Sequence, residues 1–479
     1  MNGTRRAVGR RGGYPGRAPR GWDRFALKRI AAVVALVALL AAGCGEGVDW
    51  PTTSQATPTT VGETTTSTTG ATTSTTSTTA VTTTSLAGGD AGDVEADIAG
   101  LITATEELRG RRFLEPVEVT VVSPEEMSAR IRSDIQEEMD PQDIAVEQAF
   151  ARLLGILPTE VDLATAVEDL YAEQVVGFYD GDTGELVVAS GEELTPLGRT
   201  IVIHELIHAL ADQHFGMSAT LDELVEAGRY HEAAALQALA EGDATYFQLV
   251  YLQQLAPDDQ VQALLESLQA DTTVLDSLPD WFGEDLAFPY EWGFGFVERL
   301  VAEGGAAAVD QANAHLPTTV EQIMHPTAFF TLEPARPVAL PATALEGYEV
   351  VEEGEFGEWN LMLYLLEGVS DGDATIAAGG WGGDAYRLHW NGSEVAFAYL
   401  FEGDTPRDAT ELAAALVDSL RANMAVGAPV TDEAAGTTLL EGSDFAFIQR
   451  VGAQVLVVVA GDPGVGRALV ETLRLPPED

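Results

Sequence analysis

The run Ile201-Val202-Ile203-His204-Glu205-Leu206-Ile207-His208-Ala209-Leu210 constrains this chain most. It is apolar enough to require burial, and it takes two imidazoles and a carboxylate inside with it. Thr195 offers a capping hydroxyl and Pro196 a proline at the first turn, so the run reads as a helix. On a helix His204 and His208 share one face, one turn apart, while Glu205 is rotated by about 100°. Buried polar groups need partners. One Zn²⁺ can satisfy two neutral imidazole nitrogens at about 2.0–2.1 Å each. Glu205 then stands beside the ion without ligating it, placed to take a proton from water. The competing reading is a structural helix whose histidines bond to neighbouring side chains. The chain has 7 histidines in 479 residues, so two at this spacing around a glutamate argue against chance.

A third metal ligand can come from two places. Glu241 lies in Ala240-Glu241-Gly242 on the next long helical pattern, where Ala240 and Gly242 leave room for close approach to the first helix. His214 lies six residues past His208, the histidine spacing of metzincins. Metzincins turn at a glycine where this chain has Ala211, and alanine favours continuing the helix. On a continuing helix His214 points about 120° away from His208. This favours Glu241 and leaves His214 and His231 as polar residues near helix ends.

The N-terminus addresses the chain elsewhere. Arg5 to Arg29 form a basic stretch, Ile30 to Leu40 an apolar one, and small residues then lead to Cys44. That is the pattern of a secretory signal, here residues 1–43, and the apolar run is too short to span a bilayer comfortably. Leu40-Ala41-Ala42-Gly43-Cys44 resembles a lipobox, with Ala41 where leucine is usual; lipid on Cys44 would anchor the exported chain to the outer face of a bacterial membrane. Cys44 is the only cysteine, so no internal disulfide is available. Residues 44–92 are rich in Thr and Ser and read as a disordered tether.

Nine of the 25 basic residues precede Cys44, but only one of the 76 acidic residues does. The exported chain therefore carries a formal charge of about −59, which excludes nucleic acid as a partner. After the tether the pattern is α+β, with a mostly helical domain over 93–333 and a small sheet-and-helix domain over 345–479. Alternation predicts a strand over 117–122, and apolar runs around Asp180-Gly181-Asp182-Thr183-Gly184 predict a hairpin. The same loop fails the spacing of a calcium loop. Gly461 to Ala468 mimics a phosphate loop but ends in Arg467-Ala468, without its lysine and hydroxyl.

His204 to Phe215, Gly177-Phe178-Tyr179-Asp180, Glu241 to Thr245, Tyr290-Glu291-Trp292-Gly293 and Pro317 to Pro326 together resemble a family of bacterial zincin-like metallopeptidases. The resemblance covers roughly residues 95–330 and is weaker over Gly380 to Tyr386. It implies a gluzincin site with His204, His208 and Glu241 as zinc ligands and Glu205 as base. It further implies that the strand near Glu185–Val188 is the edge that holds an extended peptide. Gluzincins commonly place an acid where this chain has Thr245. Tyr290 and His325 are candidates for donating to the oxyanion, against a packing or capping role. The expected activity is zinc-dependent cleavage of a peptide or protein substrate. The alternative is a non-catalytic surface lipoprotein that keeps the fold for binding or envelope assembly.

Overall fold

The computed structural model describes residues 82–85, 91–189 and 193–476. The signal segment, Cys44 and the tether before Thr82 fall outside the described residues. Among the described residues no helix is long and apolar enough to cross a membrane.

The protein is α+β. Strand β1 (Thr82–Ser85) is followed by α1 (Ala91–Arg109), β2 (Glu118–Val122), α2 (Pro124–Glu138), α3 (Pro141–Leu153) and α4 (Leu163–Gln174). The hairpin of β3 (Gly177–Asp180) and β4 (Glu185–Ala189) leads to α5 (Pro196–Phe215), α6 (Met217–Glu226), α7 (Tyr230–Gln254) and α8 (Pro257–Ser267). Then come α9 (Asp280–Gly304), α10 (Ala306–Ala314), α11 (Val320–Met324) and α12 (Pro326–Thr331). The C-terminal unit contains β5 (Glu349–Gly354), α13 (Gly357–Leu366), α14 (Asp371–Ala378), β6 (Trp381–Trp390), β7 (Val395–Gly403) and α15 (Pro406–Asn423). It ends with β8 (Val430–Asp432), β9 (Thr437–Glu441), β10 (Phe445–Val451), β11 (Gln454–Ala460) and α16 (Pro463–Leu473).

Helix starts follow local chemistry. Ser123 and Glu126 form a capping box on α2, Thr405 and Asp408 another on α15, and Asp140 and Asp162 cap α3 and α4. The phosphate-loop mimic is explained in the same way. Asp462 accepts from the amides of Gly464 and Val465, so its own carboxylate takes the groups a phosphate would need. In the hairpin Asp180 accepts from the amides of Asp182 and Thr183, and Gly184 adopts φ 73°. This is a turn built on a side chain, not a calcium loop.

The first sheet has the order β1-β2-β4-β3. Strand β1 pairs in parallel with β2, and β2 in parallel with β4, while β3 is antiparallel to β4. Two expectations change here. Thr82–Ser85, assigned to the tether by composition, forms a strand; β-branched threonines suit extended backbone, and β2 offered an edge to pair. Strand β4, expected at the edge, is hydrogen-bonded on both sides, and β3 takes the edge instead.

The second sheet is antiparallel, in the order β5-β6-β7-β11-β10-β9-β8. Its strands alternate cleanly. On β7, Val395, Phe397, Tyr399 and Phe401 join a core that also contains Leu236, Leu239, Phe296 and Ile323 of the helical part. Ala396, Ala398 and Leu400 face α16 and the 338–348 linker. The two expected domains therefore share one core. A sheet buried on both faces needs cover on both, and the helices of the first part supply one of them.

His231 sits at this junction. Its Nε2 accepts the Val320 N–H at 3.3 Å, and its ring lies 5.1 Å from that of Trp381. Gly357, at φ 80°, passes so close that a Cβ there would lie 2.3 Å from His231 Nδ1. Burial pushes the imidazole down to about 4 from an ordinary 6.5. The unfolded chain thus binds the proton more tightly, so this contribution is intact above pH 6.5 and is lost as pH falls. Between pH 7 and 5, above the pI near 4.2, native protein should lose about 2 kcal/mol more than His231→Gln, which keeps an acceptor for Val320. Urea midpoints at both pH values measure it, and parallel losses would refute the assignment.

Candidate metal centre

The centre forms where α5 and α7 pack side by side. Thr195 caps α5 by accepting from the Gly198 amide, and Gly216 ends it at φ 65°. Between these stops the apolar residues bury the helix, with His204 and Glu205 fully enclosed. His204 Nε2 lies 3.1 Å from Glu241 Oε2, His208 Nε2 lies 3.3 Å from the same oxygen, and the two nitrogens are 3.0 Å apart. Their donor atoms form a group able to hold a metal ion.

A chain of hydrogen bonds sets the His204 tautomer. The Thr200 hydroxyl donates to the Leu197 carbonyl at 2.8 Å, so its oxygen is left to accept from Gln248 Nε2 at 3.3 Å. That turns Gln248 Oε1 toward His204 Nδ1 at 3.1 Å, and Nδ1 carries the hydrogen. The Nε2 lone pair consequently faces the Glu241 carboxylate. Lone pair against carboxylate oxygen at this distance requires a cation among them. A proton on His208 supplies one charge and a divalent metal two, and the neutral imidazoles and carboxylate are a fitting donor set. Burial opposes charge on His208, but Glu241 and then Glu205 outweigh it and push its value up to about 9. Burial holds His204 below its ordinary value. Glu241 is pulled down against its burial, chiefly by His208.

Glu205 differs from its neighbours. Both carboxylate oxygens are sealed from solvent without a hydrogen-bond partner. Burial pushes the group up to about 8, with Glu241 adding and His208 and the Tyr179 amide opposing. The Tyr179 N–H faces the carboxylate without closing a bond of ordinary geometry. At Gly177 strand β3 packs closely on α5, where a Cβ would lie 3.3 Å from Ile201 Cγ2 and in ordinary contact, 3.6 Å, with Glu205 Cγ. Tyr179 OH donates to Asp212 at 3.0 Å and ties the strand to α5. Ala189 N–H donates to Val176 O, so antiparallel alternation turns the N–H and C=O groups of Gly177 and Tyr179 away from β4, toward the open edge.

Other expected residues separate. Tyr290 is buried on α9 with its ring 6.3 Å from that of His204, so it belongs beside the centre. His325 does not join it. The turn at Pro326 directs its Nε2 to Glu358, 2.8 Å away, at the junction with the C-terminal unit. His214 points outward and donates to the Arg112 carbonyl at 2.8 Å, so the third donor is Glu241. Gly242 leaves room for α9 rather than for α5; its Cβ would fall 2.1 Å from Gly293 O.

Two supports were not foreseen. Gln248 does the orienting expected of an acid at Thr245, whose hydroxyl is sealed without a partner. The signal was available, because Gln248 lies seven residues past Glu241, two turns along one face. Arg109 was invisible to spacing. It bridges Asp243 and Asp310 at 3.0 Å each, and Asn313 also donates to Asp243, joining α1, α7 and α10 beneath the centre.

A family model for a domain of unknown function (DUF8575) matches residues 346–469, about a quarter of the chain, in the C-terminal unit. No curated protein matches the chain. Among solved structures, a protein of Chloroflexus aurantiacus described as a candidate hydrolase with a novel fold is 18% identical. The match covers 50% of this chain and 89% of that one, with a TM-score of 0.34. A likeness this slight carries no argument about fold or activity.

Gln248→Leu should weaken metal binding by about 10–100-fold while leaving the ligands in place. Competition with a chromophoric chelator measures this, and undiminished affinity would remove Gln248 from the relay. Gly293→Ala puts a Cβ 2.0 Å from Ala238 O and should lower stability by roughly 1–3 kcal/mol or more, read from the urea midpoint.

Proposed function

We propose that this chain is a zinc-dependent peptidase of the gluzincin type, held on the outer face of a bacterial membrane by lipid on Cys44. The observation that carries the proposal is the sealed, unpartnered carboxylate of Glu205 beside the convergent donors of His204, His208 and Glu241. A purely structural helix has no use for a buried acid without a partner, which costs stability and gives no contact. Zinc on those three donors would supply a Lewis acid, lower the pKa of a neighbouring water, and favour the ionised form of Glu205.

Glu205 is then the general base. It takes the proton as the water oxygen adds to the peptide carbonyl carbon, and passes it to the amide nitrogen as the C–N bond breaks. Tyr290 is the donor assigned to the oxygen on which negative charge develops. The outward N–H and C=O groups of Gly177 and Tyr179 hold an extended substrate by strand addition along β3. The acidic surface excludes nucleic acid as the substrate.

Glu205→Gln should retain one zinc per chain and lose about 10²–10⁴-fold in turnover of an unfolded protein substrate. Glu241→Ala should lose zinc and activity together, whereas His214→Ala should keep both. Metal analysis beside a cleavage assay reads all three. Cleavage by Glu205→Gln at the native rate would end the assignment.

A further inference from the structure

His204, His208 and Asp212 follow one another at one-turn intervals along α5. The two imidazoles direct nitrogens at Glu241, but the Asp212 carboxylate is not in that donor group. Its oxygens are engaged elsewhere. Oδ2 accepts from the Tyr179 hydroxyl at 3.0 Å, and Oδ1 accepts from the Ser218 amide at 2.8 Å. Burial first, and then the Asp212 carboxylate, hold the Tyr179 phenol well above its ordinary value of 10, so it keeps the hydrogen it donates.

One carboxylate thus joins three elements at a corner: the edge strand β3, the metal-bearing helix α5 and the first turn of α6. Gly216, at φ 65°, makes the turn that brings Ser218 back to Asp212. The tip of the hairpin closes on the same corner. Gly181, directly after β3, passes so near α6 that a Cβ there would lie 2.0 Å from Ser218 Oγ and 2.2 Å from Ser218 Cβ. Tyr179 is also a residue whose N–H and C=O face the open edge. The side chain that is pinned and the backbone that receives an added strand therefore belong to one residue.

We propose, on the peptidase reading, that Asp212 is a positioning residue. By pinning Tyr179 and Ser218 it fixes the open edge of β3 at one distance from α5, and so sets how tightly an extended substrate is held beside the centre. Asp212 touches neither the substrate nor the metal and acts through Tyr179. Its role is geometric and does not need a negative charge. An asparagine can accept from the Ser218 amide through its oxygen and donate to the Tyr179 oxygen through its nitrogen, whereas an alanine can do neither.

The test uses full-length, zinc-loaded protein and dye-quenched casein as the unfolded substrate. Asp212→Ala should keep one zinc per chain and raise KM about 3–10-fold, as expected for one or two lost hydrogen bonds, with kcat changed by less than about 2-fold. Tyr179→Phe, which leaves the backbone groups of the strand in place, and Gly181→Ala, which forces the hairpin tip off α6, should raise KM in the same sense. Asp212→Asn should return KM to the native value. Asp162→Ala removes the cap of α4 and lowers stability elsewhere, and it should leave KM alone, which separates positioning from general destabilisation. If native protein cleaves casein and Asp212→Ala does so with an unchanged KM, the inference is overturned while the peptidase reading stands. A KM raised equally in Asp212→Asn, or zinc lost from Asp212→Ala, overturns it as well. Zinc-loaded native protein that leaves casein intact ends the peptidase reading, and the inference with it.

Discussion

Two imidazole nitrogens and a carboxylate oxygen lie within 3.0–3.3 Å of one another inside an apolar layer, and the rest of the helical part is arranged around that fact. Such groups cannot be buried together unless a positive charge joins them. The charge in turn demands fixed tautomers, and the relay from Leu197 through Thr200 and Gln248 fixes the one at His204. Helix α7 therefore contributes both Glu241, one of the three convergent donors, and Gln248, which orients His204, from positions two turns apart.

Close helix approach makes this possible. Gly242 and Gly293 let α7 and α9 meet backbone to backbone, which brings Tyr290 beside His204. At Gly242 and Gly293 the side chain is absent where the facing backbone must pass. The centre is thus held by secondary-structure elements on all sides, an arrangement suited to a site in which donors must stay within fractions of an ångström.

The C-terminal unit is not an appendage. Alternate residues of β7 enter the core shared with α7 and α9, and His231, Gly357 and Trp381 interlock at the seam. His325, which its sequence surroundings suggested for catalysis, belongs to this seam through Glu358.

The sequence by itself determined the α+β class, the helix carrying His204, Glu205 and His208, the hairpin, and most C-terminal strands. These are local matters of periodicity, capping and turn chemistry, which neighbours along the chain decide. Helices α13 and α14 and strands β5, β8 and β9 were not legible, because apolar or acidic runs without alternation take their form from what covers them. Preference for Glu241 over His214 was legible from helix continuation at Ala211, and the spacing of Gln248 from Glu241 carried a signal as well, whereas Arg109 was not legible because it acts across helices. Which strand forms the sheet edge, which helix Gly242 accommodates and where His325 turns were decided only in three dimensions. Each depends on a partner distant in sequence, and no spacing along one chain encodes which of two surfaces will meet.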